Sequence, residues 1–326
     1  MSSVNGTAAA LYRPRLAIVL TLTTAYMLVE FGGGWLTGSL ALLADAAHML
    51  ADVLGLSWAL VAIWIAERPP TASRTYGYLR VEVLAALSNG LLLLAVSGSI
   101  LYEAFLRFAS PRGIQSTPML VVATVGLCVN LVGLGLLRSG ARRSLNVRGA
   151  FLEVVVDLLG SVGVVAAGVI IAVTHWYYAD PVLSALIGLA LLPAIWNLLR
   201  GAVAILLEGT PVGVDLDEVA RVLGTVPGVE GLHDMHAWSI TSGYVSLTAH
   251  VEVAKRALSG ETLASIHRVL RERFGVELAT IQLEEPGFRN QHPDCGCSLV
   301  ARDQAQRPGS LDGRASGLDV ELAERG

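Results

Sequence analysis

Residues 40–66 read LALLADAAHMLADVLGLSWALVAIWIA, an apolar run that, apart from Ser57, is interrupted only by Asp45, His48 and Asp52. About 20 apolar residues in a helix are enough to cross the hydrocarbon core of a bilayer. The run therefore predicts a membrane-spanning helix. Because the three polar residues are spaced by three and then four positions, a helix places them on one face, about one turn apart.

Five further apolar segments of similar length accompany this one, and turn-forming residues such as Pro69-Pro70 and Asp180-Pro181 separate them. The sequence thus predicts an α-helical membrane protein with a six-helix transmembrane bundle. The predicted spans are 14–37, 40–66, 80–107, 117–139, 149–175 and 181–207.

The distribution of arginine predicts the orientation, because loops on the cytoplasmic side are enriched in basic residues. An even number of spans places both termini on one side, and this side carries ten arginines against two on the other. Both termini are therefore expected in the cytoplasm. The short loops and the single lysine, Lys255, suggest a bacterial inner membrane. The ten arginines are Arg13, Arg15, Arg68, Arg74, Arg80, Arg138, Arg142, Arg143, Arg148 and Arg200.

The distribution of charged residues divides the chain into segments. Charged residues make up 15% of the sequence, against about 25% in soluble domains, and they are concentrated in the last third. The net charge of −4 argues against a nucleic-acid partner, which needs a basic footprint. We expect an N-terminal cytoplasmic segment (1–13), a transmembrane domain (14–208), a cytoplasmic domain (209–286) and a disordered tail (287–326).

Charged residues inside membrane helices are costly and usually functional. His48 and Asp52 lie four residues apart in the second span, and Glu153 and Asp157 repeat that spacing in the fifth. Two facing helices would supply four ligands, the number that an ion such as Zn²⁺ prefers. Asp45 is expected to orient His48 by hydrogen bonding, to hold a proton, or to lie at the aqueous end of the helix. The two pairs predict a divalent-metal site.

The cytoplasmic segment alternates between apolar and polar residues where strands are expected and shows helical periodicity elsewhere. The order is helix, strand, strand, helix, strand, which suggests a small two-layer α+β domain. The expected ranges are 215–223, 229–240, 244–253, 260–274 and 277–284.

Several stretches, in order along residues 14–286, resemble the cation diffusion facilitator family in its zinc, cobalt and cadmium efflux branch. They are residues 39–52, 76–86, Asp180-Pro181 and 206–211. The resemblance implies a homodimer of six-helix protomers with a metallochaperone-like cytoplasmic domain. It also implies a metal/proton antiporter that exports the ion from the cytoplasm, and hence no enzymatic activity.

The same resemblance implies a cytoplasmic metal site. The positions of His233, His250 and Glu284 match family ligands, and a fourth position falls on Glu277, where the family often has histidine. In the tail, Cys295 and Cys297 lie close to His292, a pattern typical of metal capture, although a pair of incidental thiols fits as well.

Glu153 departs from the family pattern, because the zinc branch usually has histidine at this position. One neutral histidine and three carboxylates carry −3 against an ion of +2, so we expect one carboxylate to hold a proton. The added carboxylate oxygen is a harder ligand than a ring nitrogen. It is expected to tilt the preference toward harder ions such as Mn²⁺, Fe²⁺ or Co²⁺. The metal range is expected to broaden from Zn²⁺ to these ions and Cd²⁺.

Other functions use the same ligands. A membrane metalloenzyme would need a general base outside the ligand set, and a channel seldom uses a tight four-ligand site. A metal sensor that signals through the cytoplasmic domain is a further alternative. The chain lacks a G-x-x-x-x-G-K-[ST] phosphate loop, so transport would be driven by a gradient in which protons compete with metal for the ligands.

Overall fold

The computed structural model describes residues 7–37, 40–109, 117–174, 176, 178–254 and 260–288. A short 3₁₀ turn, Ala10–Tyr12, leads into six long helices, each at a position that the sequence predicts. They are α1 (Arg13–Thr37), α2 (Leu40–Ala66), α3 (Val81–Ala109), α4 (Thr117–Leu137), α5 (Leu145–Thr174) and α6 (Ala179–Leu206).

Length and composition qualify four segments of the described chain to cross a membrane: Ala10–Gly33, Val81–Phe108, Leu145–Ile171 and Pro181–Leu206. Within the described residues, α2 and α4 contribute shorter apolar stretches, Asp52–Ala66 and Val125–Leu137. Large apolar side chains such as Trp35, Phe105 and Val173 are more than two-thirds exposed, as expected of helices that face lipid or another protein.

The helix α5 lies between two apolar cores. Val147 and Val154 pack with Leu16, Leu56 and Leu137, in a cluster formed by α1, α2, α4 and α5. Two other side chains of α5, Leu152 and Val156, pack with α3 and α6. Because α5 is enclosed on two sides, residues between these apolar positions, Glu153 among them, are held inside the bundle.

The cytoplasmic domain has the predicted αββαβ order, so the predicted fold class is confirmed. Its elements are α7 (Leu216–Leu223), β1 (Val229–Thr241), β2 (Tyr244–Val253), α8 (Gly260–Phe274) and β3 (Val276–Glu284). In the sheet, β2 lies between β1, to which it is antiparallel, and β3, to which it is parallel.

Successive residues of β2 point to opposite faces of the sheet, so one face is apolar and the other is polar. Leu247, Ala249 and Val251 are fully buried in the core that includes Ile266 and Leu270 of α8. The intervening residues of β2 therefore point to the opposite face, where polar side chains are tolerated. This second face carries the cytoplasmic site described below.

The tip of the β1–β2 hairpin joins the cytoplasmic domain to the membrane helices. Thr241 donates a hydrogen bond to Glu82, at the start of α3, and the same carboxylate accepts one from Thr7. The next residue, Ser242, accepts a hydrogen bond from the backbone N–H of Leu145, the first residue of α5, at 3.0 Å. Ser144, directly before the helix, accepts a hydrogen bond from the N–H of Val147 at 3.3 Å. Together the two serines cap a helix that begins four residues before the predicted start at 149.

Candidate metal sites

The membrane site lies where α2, α3 and α5 meet. Asp52, Glu153 and Asp157 line a small cavity, together with apolar side chains of α3 and α5 (Leu92, Leu93, Val96 and Val156). The cavity has room for about one water-sized body. The structure thus brings together the three carboxylates that the sequence predicts as ligands.

Charge makes this cavity a place for a cation. Glu153 is only 3% exposed, and neither of its carboxylate oxygens has a hydrogen bond of good geometry among the described residues. None of the described residues that line the cavity is basic. Because clustered carboxylates in a low-dielectric interior repel one another, a divalent cation or protons must neutralise them.

The remaining predicted ligands of this site belong to α2. The backbone at Asp45 and His48 is helical, so His48 lies one helical turn before Asp52. The side chains of Asp45 and His48 lie outside the described residues, and their roles stay predictions.

The cytoplasmic cluster forms on the polar face of the sheet. His233 on β1 pairs with His250 on β2, and the neighbouring pair on β2 and β3 is Glu252 and Glu284. One ligand atom each from His233, His250 and Glu284 lies within 4.8 Å of the other two. The sequence-predicted triad is therefore assembled by cross-strand pairing.

The distances in this triad suit a transition metal. His250 Nδ1 lies 2.7 Å from Glu284 Oε1, and His233 Nε2 lies 3.3 Å from Glu284 Oε2. The latter two atoms are buried but are not aligned for a hydrogen bond. With metal–ligand bonds of about 2.1 Å, the ligand atoms of a tetrahedral site lie about 3.4 Å apart. Small adjustments of these side chains would complete such a site.

Each imidazole also has a carboxylate near its other ring nitrogen. Asp234 Oδ2 lies 3.8 Å from Nε2 of His250, and Glu252 Oε1 lies 4.0 Å from Nδ1 of His233. A carboxylate that accepts a hydrogen bond from a metal-bound histidine orients the ring and raises its basicity, and these two carboxylates lie about 1 Å beyond that distance. Neither residue was predicted from the sequence. Glu252 could have been found, because it lies two positions after His250 and hence on the same face of β2.

Asp234 carries no comparable sequence signal. It directly follows His233, so a regular strand would direct it to the other face. Instead β1 has a register shift between His233 and His236, and Asp234 adopts the left-handed region with φ of 52°. This irregularity brings its carboxylate to His250 and to His236, whose Nε2 lies 3.0 Å from Asp234 Oδ1.

The structure does not bring Glu277 into this cluster. It is exposed at the start of β3, seven residues from Glu284, which is roughly 23 Å along a strand. Within one protomer it therefore lies far from the triad. The tail residues His292, Cys295 and Cys297 lie outside the described residues.

Comparison with known proteins gives a family match over most of the chain. Residues 16–207 match the cation efflux transmembrane domain, and residues 211–286 match the cytoplasmic domain of cation efflux proteins. The resemblance inferred from the sequence motifs is thereby confirmed.

Three relatives illustrate the match. The chain is 49% identical to the metal cation efflux system protein CzcD of Cupriavidus metallidurans, over 87% of this chain and 92% of the relative. It is 42% identical to the zinc transporter ZitB of Escherichia coli, over 86% and 90%. It is 39% identical to a cadmium, cobalt and zinc/H(+)-K(+) antiporter of Bacillus subtilis, over 82% and 88%.

Proposed function

Because this chain belongs to the cation efflux family, we propose that it is a secondary transporter that exports Zn²⁺ or a related divalent cation from the cytoplasm in exchange for protons. The observation that carries the proposal is the convergence of Asp52, Glu153 and Asp157 on one cavity inside the helical bundle. Relatives named for zinc, cadmium and cobalt transport support the same substrate class.

The transport cycle follows from the chemistry of the ligands. His48 as a neutral imidazole and ionised carboxylates bind the ion from the cytoplasmic side. Protons from the opposite side then compete for the same groups, and the ion is released as they bind. A rearrangement of the helices exposes the site alternately to each side. The protein acts as an antiporter and not as an enzyme, and the proton gradient supplies the energy.

The arrangement in the cell follows from the arginine distribution and the family. We place the chain in the bacterial inner membrane with six spans, both termini and residues 209–286 in the cytoplasm, and two copies forming a homodimer. The triad of His233, His250 and Glu284 binds a regulatory or delivered ion on the cytoplasmic side. The tail pair Cys295 and Cys297, together with His292, captures metal for it.

Glu153 sets the metal range in this proposal. Three hard carboxylate oxygens and one nitrogen accept Mn²⁺, Fe²⁺ and Co²⁺ better than a site with two histidines would. The variant Glu153→His should therefore narrow transport toward Zn²⁺ and change its dependence on pH. An unchanged metal profile and an unchanged pH dependence would show that Glu153 does not set the range.

Metal uptake into proteoliposomes with an imposed proton gradient tests the transport function. Wild type should accumulate Zn²⁺ against its concentration gradient, and Asp52→Ala should abolish the accumulation. Asp217→Ala, at an exposed position of α7, serves as the control and should behave as wild type. Zn²⁺ flux that needs no proton gradient would indicate a channel, and no flux in wild type would favour a sensor or a metalloenzyme.

A further inference from the structure

We propose that Gly55 and Asn89 are positioning residues that hold the Glu153 carboxylate against α2 and thereby set the metal selectivity of the membrane site. This inference rests on the proposed transport function. It adds two residues that are not ligands themselves and that come from helices other than the one that carries Glu153.

Gly55 provides the space that the carboxylate occupies. It lies three residues after Asp52 on α2 and hence on the same helical face. A methyl group on Gly55 would overlap Oε1 of Glu153 and would lie 2.9 Å from its Cδ atom. The side chain of Glu153 thus crosses from α5 to the backbone of α2 and ends beside Asp52.

Among the described glycines, Gly55 is the one whose added methyl group would meet a predicted ligand. At Gly90, Gly140 and Gly163 a methyl group would clash only with apolar or aromatic side chains. A glycine inside a helix costs about 1 kcal/mol relative to alanine, so a glycine without a packing role gains nothing from its position. At Gly98 of α3 and Gly160 of α5, a methyl group would meet no atom within 4 Å. At Gly55 it would meet the predicted ligand itself.

Asn89 closes the same pocket from α3. It is 4% exposed, and its Oδ1 atom would lie 3.2 Å from a methyl group on Gly55. Its other amide atom, Nδ2, would lie 3.0 Å from a methyl group on Gly149, one turn before Glu153 on α5. Asn89 is thus wedged between a glycine of α2 and a glycine of α5, with its amide beside the carboxylate.

The consequence is a carboxylate with a fixed position. Because Gly55 and Asn89 confine it, the Glu153 side chain cannot swing away from the cavity without breaking this packing. A fixed third carboxylate keeps the site rich in hard oxygen ligands. If the carboxylate is displaced, the site loses one hard oxygen ligand. Transport of Mn²⁺ should then fall more than transport of Zn²⁺.

The test compares Gly55→Ala with Gly98→Ala in proteoliposomes with a proton gradient, with Zn²⁺ alone and Mn²⁺ alone as substrates. Overpacking at a buried site of this kind should raise the KM of Gly55→Ala by roughly fivefold or more. The ratio of Mn²⁺ to Zn²⁺ transport should fall. Gly98→Ala should match wild type in both KM and ratio. Equal behaviour of the two alanine variants would overturn the proposal.

A second comparison separates this effect from misfolding. Glu153→Asp shortens the side chain, so adding Gly55→Ala to Glu153→Asp should cost far less than Gly55→Ala costs in wild type. An undiminished cost would show that the added methyl group acts elsewhere, and this would also count against the proposal. The comparison decides the question even if Gly55→Ala alone does not fold.

Asn89→Leu removes the amide at similar volume and should also lower the ratio of Mn²⁺ to Zn²⁺ transport. If Asn89→Leu lowers the amount of folded protein but leaves the ratio of Mn²⁺ to Zn²⁺ transport unchanged, Asn89 has a purely structural role. That result would overturn its part of the proposal. The variant Asp52→Ala distinguishes a failure of the proposed transport function from a failure of the proposed positioning role. If it still accumulates metal, the proposed function fails. If it is inactive while Gly55→Ala equals its control, only the positioning role fails.

Discussion

Replacing Thr241 with valine should loosen the joint between the cytoplasmic domain and the membrane helices. Glu82 is 2% exposed at the start of α3, and its two oxygens accept hydrogen bonds from different segments. Thr7 Oγ1 donates to one oxygen at 2.5 Å, and Thr241 Oγ1 donates to the other at 3.2 Å. Thr241→Val keeps the shape of the side chain but leaves one carboxylate oxygen buried without its donor.

The size of the effect follows from that loss. Removing one partner of a buried hydrogen bond costs about 1–3 kcal/mol, because the remaining group loses both water and donor. The substitution destabilises the state in which the hairpin tip is docked on Glu82. The undocked state of the tip should therefore be populated about 5 to 150 times more often. Since Ser242 of the same tip caps α5, the first turn of α5 should open with it.

Hydrogen exchange of the full chain in lipid nanodiscs measures this opening. Peptides that cover the hairpin tip and the first turn of α5 should exchange faster in Thr241→Val by that factor. Thr280→Val makes the same chemical change at an exposed position of β3 and serves as the control. Replacing Glu82 with leucine removes the acceptor, so Thr241→Val should add little in that background. An equal acceleration with and without Glu82 would refute the role of this hydrogen bond.

Further predictions concern the cytoplasmic domain and the surface. In an Asp52→Ala background, which disables the membrane site, calorimetric titration with Zn²⁺ should show that Asp234→Asn weakens binding about 10–100-fold. Glu284→Gln, which alters a ligand, should weaken it more, and equal effects would contradict the assignment of ligand and orienting residue. Leu247→Ala should destabilise the domain by about 2–5 kcal/mol in thermal unfolding, because the side chain is fully buried. Arg80→Ala removes an exposed ion pair and should change stability by less than about 1 kcal/mol; a larger loss would mean that the pair is part of the joint.

The element order was predictable because each signal is local. Apolar runs of membrane length and the alternation along β2 are read within a few residues, and the structure places helices and strands close to those positions. The start of α5 was predicted four residues late for two reasons. Its first N–H is capped by Ser242, which is 97 residues away and leaves no signature beside the helix. The local N-cap, Ser144, does leave one, because it directly precedes the helix and accepts a hydrogen bond from the N–H of Val147, but this signal was overlooked.

The cytoplasmic site shows the same division between local and distant signals within one three-stranded sheet. His233, His250 and Glu284 follow from the family pattern, and Glu252 follows from strand alternation. Asp234 does not follow from either, because only the irregularity in β1 brings it to His250. Glu277 fits the family pattern by position, yet the length of β3 places it away from the triad.

The membrane site also combines residues with a local sequence signal and residues without one. Ionisable residues in apolar helices stand out because burying each of them in the bilayer is costly. Asp52, Glu153 and Asp157 can therefore be identified from the sequence. The residues that confine them are a glycine and an asparagine, and neither residue type marks a metal site in a sequence. Their role depends on contacts among α2, α3 and α5, three segments distant in sequence. A search for selectivity determinants in such transporters should therefore include small residues that face a ligand as well as the ligands themselves.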